Sequence, residues 1–440
     1  MQNEIPSLYD LNDDCLDYIF RKIVYLPDQL KISRVCTRFQ NIYTRIWNAN
    51  SNYRILELNE WRSIFPKIED LQYFLHVMQF YFKEFVITED CLSETLKDLE
   101  EWNITCLPSV ERCDLSDFVD CYPNDCDIFN LTNLLPNLKY LRLTAPITGR
   151  FLTNFKYLEE LHLYDEQEKE LEISANYLKD ICVELKQLRI LDIRTFNASH
   201  LSLTHIEYCK NLEVLKLNLS VLKTIVCDVL KLPKLKTVTV LLDFIVNASS
   251  IQSPDTFSTK IYQTKEFYYI LNTESERITG ISIDNYFMPL KEDWDDNLDI
   301  FKHCKLEYFA FCNSSFESTA LEKYTKMKNL KLLCLRNWSL LSKDVLLRFI
   351  ELCPNLQHID VSYCKNLDKS FLYDAVELLK QHKHRTINVY YLLSGLEDEI
   401  ENVNINFWVQ QKYIHLSADF PPDSERGLSY VDRGFQFDFD

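Results

Sequence analysis

The stretch Pro136-Asn137-Leu138-Lys139-Tyr140-Leu141-Arg142-Leu143 places three apolar residues in the spacing L-x-x-L-x-L, and that spacing returns down the chain. Close copies stand at Leu158/Leu161/Leu163, Leu188/Leu191/Ile193, Leu212/Leu215/Leu217 and Leu235/Val238/Val240. Looser ones follow at Ile278/Ile281/Ile283, Leu306/Phe309/Phe311, Leu330/Leu333/Leu335, Leu356/Ile359/Val361 and His384/Ile387/Val389. Successive first positions lie 20 to 30 residues apart, except for the 43 residues from Leu235 to Ile278. Upstream, Val110/Cys113/Leu115, Phe82/Phe85/Ile87 and Tyr53/Leu56/Leu58 keep nearly the same step. Self-similarity at this period is the mark of a stacked repeat architecture.

In x-L-x-L-x the two apolar residues point to one face of a short strand and the x residues to the other. One such strand cannot bury its apolar face alone, so units at this period stack strand beside strand and share a continuous core. The return segments read as helices. Ser342 is placed to cap a helix carrying Val345, Leu346, Phe349, Ile350 and Leu352 at helical spacing, with Pro354 at its exit, and Asp368 stands likewise before Phe371, Leu372, Ala375, Val376, Leu378 and Leu379. The expected fold is a right-handed α/β solenoid, a curved parallel sheet backed by helices.

The run Cys353-Pro354-Asn355-Leu356-Gln357-His358-Ile359-Asp360-Val361-Ser362-Tyr363-Cys364 resembles the cysteine-containing class of leucine-rich repeat, as does the unit from Cys209. The cysteine before Leu306 is Cys304, one position too close for that pattern, and the unit from Leu235 has none.

Ahead of the repeats, Leu16, Ile19, Phe20 and Ile23 keep helical spacing after Asn12 and Asp13. Leu30, Val35, Phe39, Ile42 and Ile46 supply further apolar faces as far as Trp47. So short a segment buries too little surface to stand alone, which implies a partner. Its marks are Leu11, the Ile19-Phe20 pair, Leu26-Pro27, and Val35-Cys36 ahead of Arg38-Phe39; on these it resembles an F-box. Asn12 stands where that family usually has proline and serves the helix start by capping instead. The resemblance implies binding to the Skp adaptor of a cullin-RING ubiquitin ligase through Leu11, Leu16, Ile19, Phe20, Leu26, Pro27, Leu30, Val35 and Phe39. It makes the chain a non-catalytic substrate-recognition subunit whose repeats hold the protein to be ubiquitinated. The expected organisation is an F-box over 5–50, a solenoid over 51–393, and a C-terminal cap and acidic tail over 394–440. The rival reading is a repeat scaffold or inhibitor not linked to ubiquitination, its N-terminal helices merely capping the solenoid. A cap has no need of the Leu26-Pro27 and Arg38-Phe39 pattern.

The x residues of each strand would line the concave face and meet a target. They include Tyr140, Arg142, His162, Tyr164, Asp192, Arg194, Lys216, Asp284, Arg336 and Asp360. Beyond the repeats, Ile405 to Leu416, with Phe407, Trp408 and Tyr413, is expected to cover the terminal edge of the array, and the acidic, aromatic ending through Phe435-Gln436-Phe437-Asp438-Phe439 to fold back on or near the arc.

The formal charge of −18 over 440 residues repels phosphate backbones and anionic lipid, which argues against nucleic acid or membrane as partner. Residues 1–14 lack the basic and apolar blocks of a secretory signal. The apolar run from Val238 to Val246 is broken by Asp243 and falls well short of the roughly 18 residues a membrane span needs. The expectation is a soluble protein of cytoplasm or nucleus. Fifteen cysteines, an odd count without secretory context, read mostly as buried thiols. The group Cys106, Cys113, Cys121 and Cys126 lacks the CxxC pair of structural zinc sites, so no metal is expected. The five glycines form no phosphate-cradling loop, and no HExxH or G-x-S-x-G motif occurs. His382 and His384 belong to a basic segment, Lys380 to Arg385, placed to favour a helix C-terminus. Neither catalysis nor a cofactor is expected.

Overall fold

The computed structural model describes residues 8–88, 91–117, 122–144, 146–164, 173–194, 203, 205–241, 269–270, 273–274, 276–284, 305–312, 327–381, 385–397, 413–418 and 434–439. His384, Cys304, Phe407 and Trp408 lie outside the described residues. The chain forms two compact units that part between Asn211 and Leu212.

The first unit opens with three helices, α1 (Asp13–Phe20), α2 (Leu26–Ser33) and α3 (Thr37–Ala49). The Asn12 side chain accepts a hydrogen bond from the Cys15 amide at 2.8 Å, so asparagine starts α1 by capping. Pro27 lies in the first turn of α2, where its missing N–H costs nothing. Phe20 stacks on Tyr43 at 4.8 Å and meets Phe39 edge-on at 5.0 Å. The Trp47 indole N–H donates to the Gln29 side chain at 2.7 Å, and that amide donates to the Ile23 carbonyl at 2.6 Å. Arg38 ties down the segment that enters the module, donating to Asp13 at 2.7 Å and to the Tyr9 carbonyl at 2.9 Å. The Arg38-Phe39 pair thus closes the module from both sides.

The repeats begin at once. Strand β1 (Ile55–Leu56) is only two residues long, and Leu58, expected to complete its apolar triplet, instead opens helix α4 (Leu58–Ile64). Helix α5 (Ile68–Met78) follows, then β2 (Glu84–Thr88), β3 (Arg112–Asp117), β4 (Tyr140–Thr144), β5 (Glu160–Tyr164) and β6 (Ile190–Arg194), each paired in parallel with the one before. Leu141, Leu143, Leu161, Leu163, Leu191 and Ile193 are buried on the inner side. At about 1.5–3 kcal/mol per fully buried aliphatic side chain, these pairs supply the main drive for stacking. The helical module shares this core: Trp47 packs edge-on against Phe74 of α5 at 5.3 Å, and Arg34 reaches Asp70 at 2.5 Å while lying over the Tyr73 ring.

The second unit carries β7 (Val214–Asn218), β8 (Thr237–Leu241), β9 (Ile278–Asp284), β10 (Tyr308–Cys312), β11 (Leu332–Cys334), β12 (His358–Asp360), β13 (Ile387–Tyr390), β14 (Ile414–Ser417) and β15 (Gly434–Phe439). Strands β9 to β14 run parallel in chain order, as do β7 and β8. Strand β15 is antiparallel and lies between β8 and β9. Ser342 and Asp368 sit at the helix starts where the sequence places them, ahead of Lys343–Leu352 and Lys369–Gln381, and accept from the amides of Asp344 and Ser370. Short parallel strands, one per repeat, with helices between them make this an α/β solenoid of leucine-rich-repeat type.

Asparagine and arginine side chains stitch repeat to repeat. The asparagine preceding the first leucine of a unit donates to a main-chain carbonyl one repeat back: Asn137 to Pro108 at 2.9 Å, Asn211 to Lys186 at 2.7 Å and Asn355 to Lys328 at 2.9 Å. Arg385, in the basic segment assigned from sequence to the end of the last helix, instead caps the helix before it. It donates to the carbonyls of Ile350 at 2.7 Å and Cys353 at 2.5 Å. Burial lowers its pKa, and those carbonyls take the place of water.

Replacing Trp47 by alanine removes the joint between module and first repeat and leaves the buried Gln29 side-chain oxygen without its donor. A loss of about 3–5 kcal/mol in urea unfolding is expected, with the transition of the first unit broadened.

Candidate functional site

Two surfaces in the first unit stand apart from its leucine core. The helical module turns Leu8, Tyr9, Tyr18, Ile19, Val24, Tyr25 and Val35 outward. These are seven of the seventeen large exposed apolar residues among the described ones, gathered within 28 residues of sequence. Val24 is 85% exposed and Val35 56%. Scattered exposed apolar residues need no explanation, but a concentration of this kind marks an interaction surface. Of the residues assigned from sequence to the adaptor contact, Leu16, Phe20, Leu26, Pro27, Leu30 and Phe39 are buried in the module, Leu11 is half-buried, and Ile19 and Val35 face solvent. Tyr18, Val24 and Tyr25 escaped the sequence reading because they fall off the helical period that locates a core.

The second surface is the face of β2–β6 turned away from the leucines. Sheet register sets Glu84, Arg112, Tyr140 and Glu160 in one row, and Asp114, Arg142, His162 and Asp192 in the next. The Arg112 guanidinium lies 3.5 Å over the Tyr140 ring and donates to Glu84 at 2.8 Å. The Tyr140 ring lies tilted against that of His162 at 5.0 Å, and Arg142 lies over Tyr164 at 5.4 Å with Asp114 at 3.6 Å. The Tyr164 hydroxyl donates to Asp192 at 3.0 Å, with His162 Nδ1 3.4 Å from the same oxygen. Asp192 itself is wholly buried, so it fixes the ring and the hydroxyl beside it rather than facing a ligand. His162 Nε2 and Arg142 Nε have no hydrogen-bond partner. The outcome is a cation–aromatic ladder in which side chains with many rotamers are already held, which lowers the entropic cost of docking.

The corresponding face of the second unit offers less. Thr239, Ser282, Ala310, Cys334 and Asp360 are all buried. Arg336 donates to Asp360 at 2.5 Å, and its pKa is raised through the neighbouring Cys334 and Asp360, which outweigh the cost of its burial. Lys216 is half-exposed. Of Arg194 and Asp284 only the backbone is described. Among the described side chains of the predicted target face, Tyr140, Arg142, His162, Tyr164, Lys216 and Arg336 are partly exposed, and Arg112, which was not among those predicted, adjoins Tyr140.

Burial pushes the thiol of Cys353 up to about 11 and that of Cys364 up to about 12. Cys364 donates to the Leu335 carbonyl at 2.9 Å and accepts from the Trp338 amide, so it works as a repeat-to-repeat strut. Cys91, an exception to the reading of the cysteines mostly as thiols, is disulfide-bonded. Among the described residues no cluster of three or more His, Cys, Asp or Glu side chains is placed to hold a metal ion, and no helix is long and apolar enough to cross a membrane.

No family model and no curated protein matches the sequence. Among solved structures the chain is similar to a leucine-rich-repeat protein of Leptospira interrogans, at 13% identity and a TM-score of 0.31 over 79% of this chain and 92% of that one. It is also similar to a plant peptide hormone receptor in complex with RGF2, at 11% identity and a TM-score of 0.25 over 79% of this chain and 57% of that one. The fold assignment rests on the strand ladder itself.

Two measurements check this site. Asp192→Ala deprives Tyr164 and His162 of their buried acceptor and should cost about 1–3 kcal/mol in urea unfolding, whereas Glu160→Ala, on the partly exposed rim, should cost less than about 1 kcal/mol. Alkylation of the native protein at pH 8 should label Cys15, Cys126 and Cys227, which are exposed, and spare Cys353 and Cys364. Thiols neutral when folded but ionising near their ordinary 9.0 when unfolded stabilise the fold below that pH. That contribution should fade as pH rises from about 9 through the folded values of about 11 and about 12.

Proposed function

We propose that this protein is a substrate-recognition subunit of a Skp–cullin–F-box ubiquitin ligase, acting in cytoplasm or nucleus. The helical module binds the Skp adaptor, and the ladder on β2–β6 binds the protein to be ubiquitinated. The observation that carries the reading is the set of apolar side chains left outside a three-helix module whose inner face is already satisfied by Phe20, Tyr43, Trp47 and Phe74. A module serving only to cap the solenoid accounts for the inner face and not for Ile19, Val24, Tyr25 and Val35. The subunit performs no chemistry of its own. It raises the effective concentration of target lysines at a conjugating enzyme carried elsewhere in the complex.

The second reading, a repeat scaffold or inhibitor outside the ubiquitin system, is favoured by the close docking of α2 and α3 on α5 through Arg34 and Trp47. Co-purification from cells separates the two. The wild-type chain should bring down Skp adaptor and cullin, and Ile19→Asp with Val35→Asp should lower recovery at least tenfold while the unfolding midpoint holds. Absence of adaptor from the wild-type sample would refute the ligase reading.

A further inference from the structure

The 43-residue step from Leu235 to Ile278 has a counterpart in the sheet. Strands β8 and β9 do not pair with each other; β15 lies between them, antiparallel to both. The register sets Phe437 opposite Val238 and Ile281, and Phe435 opposite Val240 and Ile283, and all four of these partners are buried. Without β15, β8 and β9 would each present a bare edge of unpaired N–H and C=O groups.

A side chain keys the strand to this place. Gly280 is a strand-interior glycine, a position that ordinarily weakens a strand and marks the close approach of another group. The group here is Asp438: a Cβ on Gly280 would run into its carboxylate. From the other side, the Thr237 hydroxyl donates to Asp438 Oδ1 at 3.0 Å. Repeat spacing, double-sided register and the missing side chain at 280 all point to the same interval.

We infer that the interval between β8 and β9 is a strand-acceptor site for an extended segment of the pattern Phe-x-Phe-Asp-Phe, read through its main chain by both edges and through its aspartate by Gly280 and Thr237. Residues 434–439 of this chain occupy it. Pairing with an extended segment supplies affinity, and alternate side-chain positions supply selectivity. The site is independent of the ligase reading.

The test uses the full chain. Asp438→Lys should speed hydrogen exchange at least tenfold in 237–241 and 278–284 and leave 358–360 and 387–390 unchanged, while Asp438→Asn, which keeps the acceptor for Thr237, should retain most of the protection. The loosened Asp438→Lys chain should then take up one labelled peptide of residues 434–439, and bind the same peptide bearing Asp438→Lys at least tenfold more weakly. Wild-type exchange rates in the Asp438→Lys chain, no uptake of either peptide, or equal uptake of both would overturn the inference.

Discussion

A pair of leucines on a five-residue strand has nothing to bury against until the next strand is in place, and that dependence organises each unit. Leu141 and Leu143 are core residues only because Cys113 and Leu115 stand on one side and Leu161 and Leu163 on the other. The stitches follow the same logic: Asn137, Asn211 and Asn355 each spend a side-chain amide on the carbonyl of the repeat before. Such an array is stable along its length and exposed wherever the sequence of strands starts or breaks. In the first unit the start is met by a helical module sharing Trp47 and Phe74 with it; in the second, the break between β8 and β9 is met by β15.

The same constraint explains what could be read from sequence. The ladder was legible because burial on one face imposes a strict period, and the helix starts because Asn12, Ser342 and Asp368 have few other uses at those places. The return of residues 435–439 to the arc was legible from sequence, but their pairing as antiparallel β15 between β8 and β9 was not, since nothing local distinguishes a strand that pairs with neighbours some 150–200 residues away from one that merely rests on the surface. The accessible rim was only half legible. Periodicity separates Tyr140 and Arg142 from Leu141 and Leu143, but it cannot tell that Asp192 and Asp360 on the same face are sealed. In the helical module it found the core and, of the surface, only Ile19 and Val35, because Val24 and Tyr25 lie in a turn without a period.

The chemistry of the exposed parts fits binding to a protein surface. Arg112, Tyr140, Arg142 and Tyr164 form a held lattice of rings and guanidinium groups, the residue types favoured at the centres of protein interfaces. With Glu84, Asp114 and Asp192 behind them, their charge is balanced locally even though the chain as a whole carries −18. Recognition there depends on shape and stacking as much as on net charge, which suits selection of one protein surface among many acidic and basic ones.

Adaptor binding would fall to the outer face of the helical module. Hydrogen exchange of the purified protein, with and without saturating Skp adaptor, tests it most directly. Protection gained over residues 8–25 and around Val35, with β2–β6 unchanged, is the predicted result. Exchange unaltered in the module, or protection appearing on the strand face instead, would contradict it.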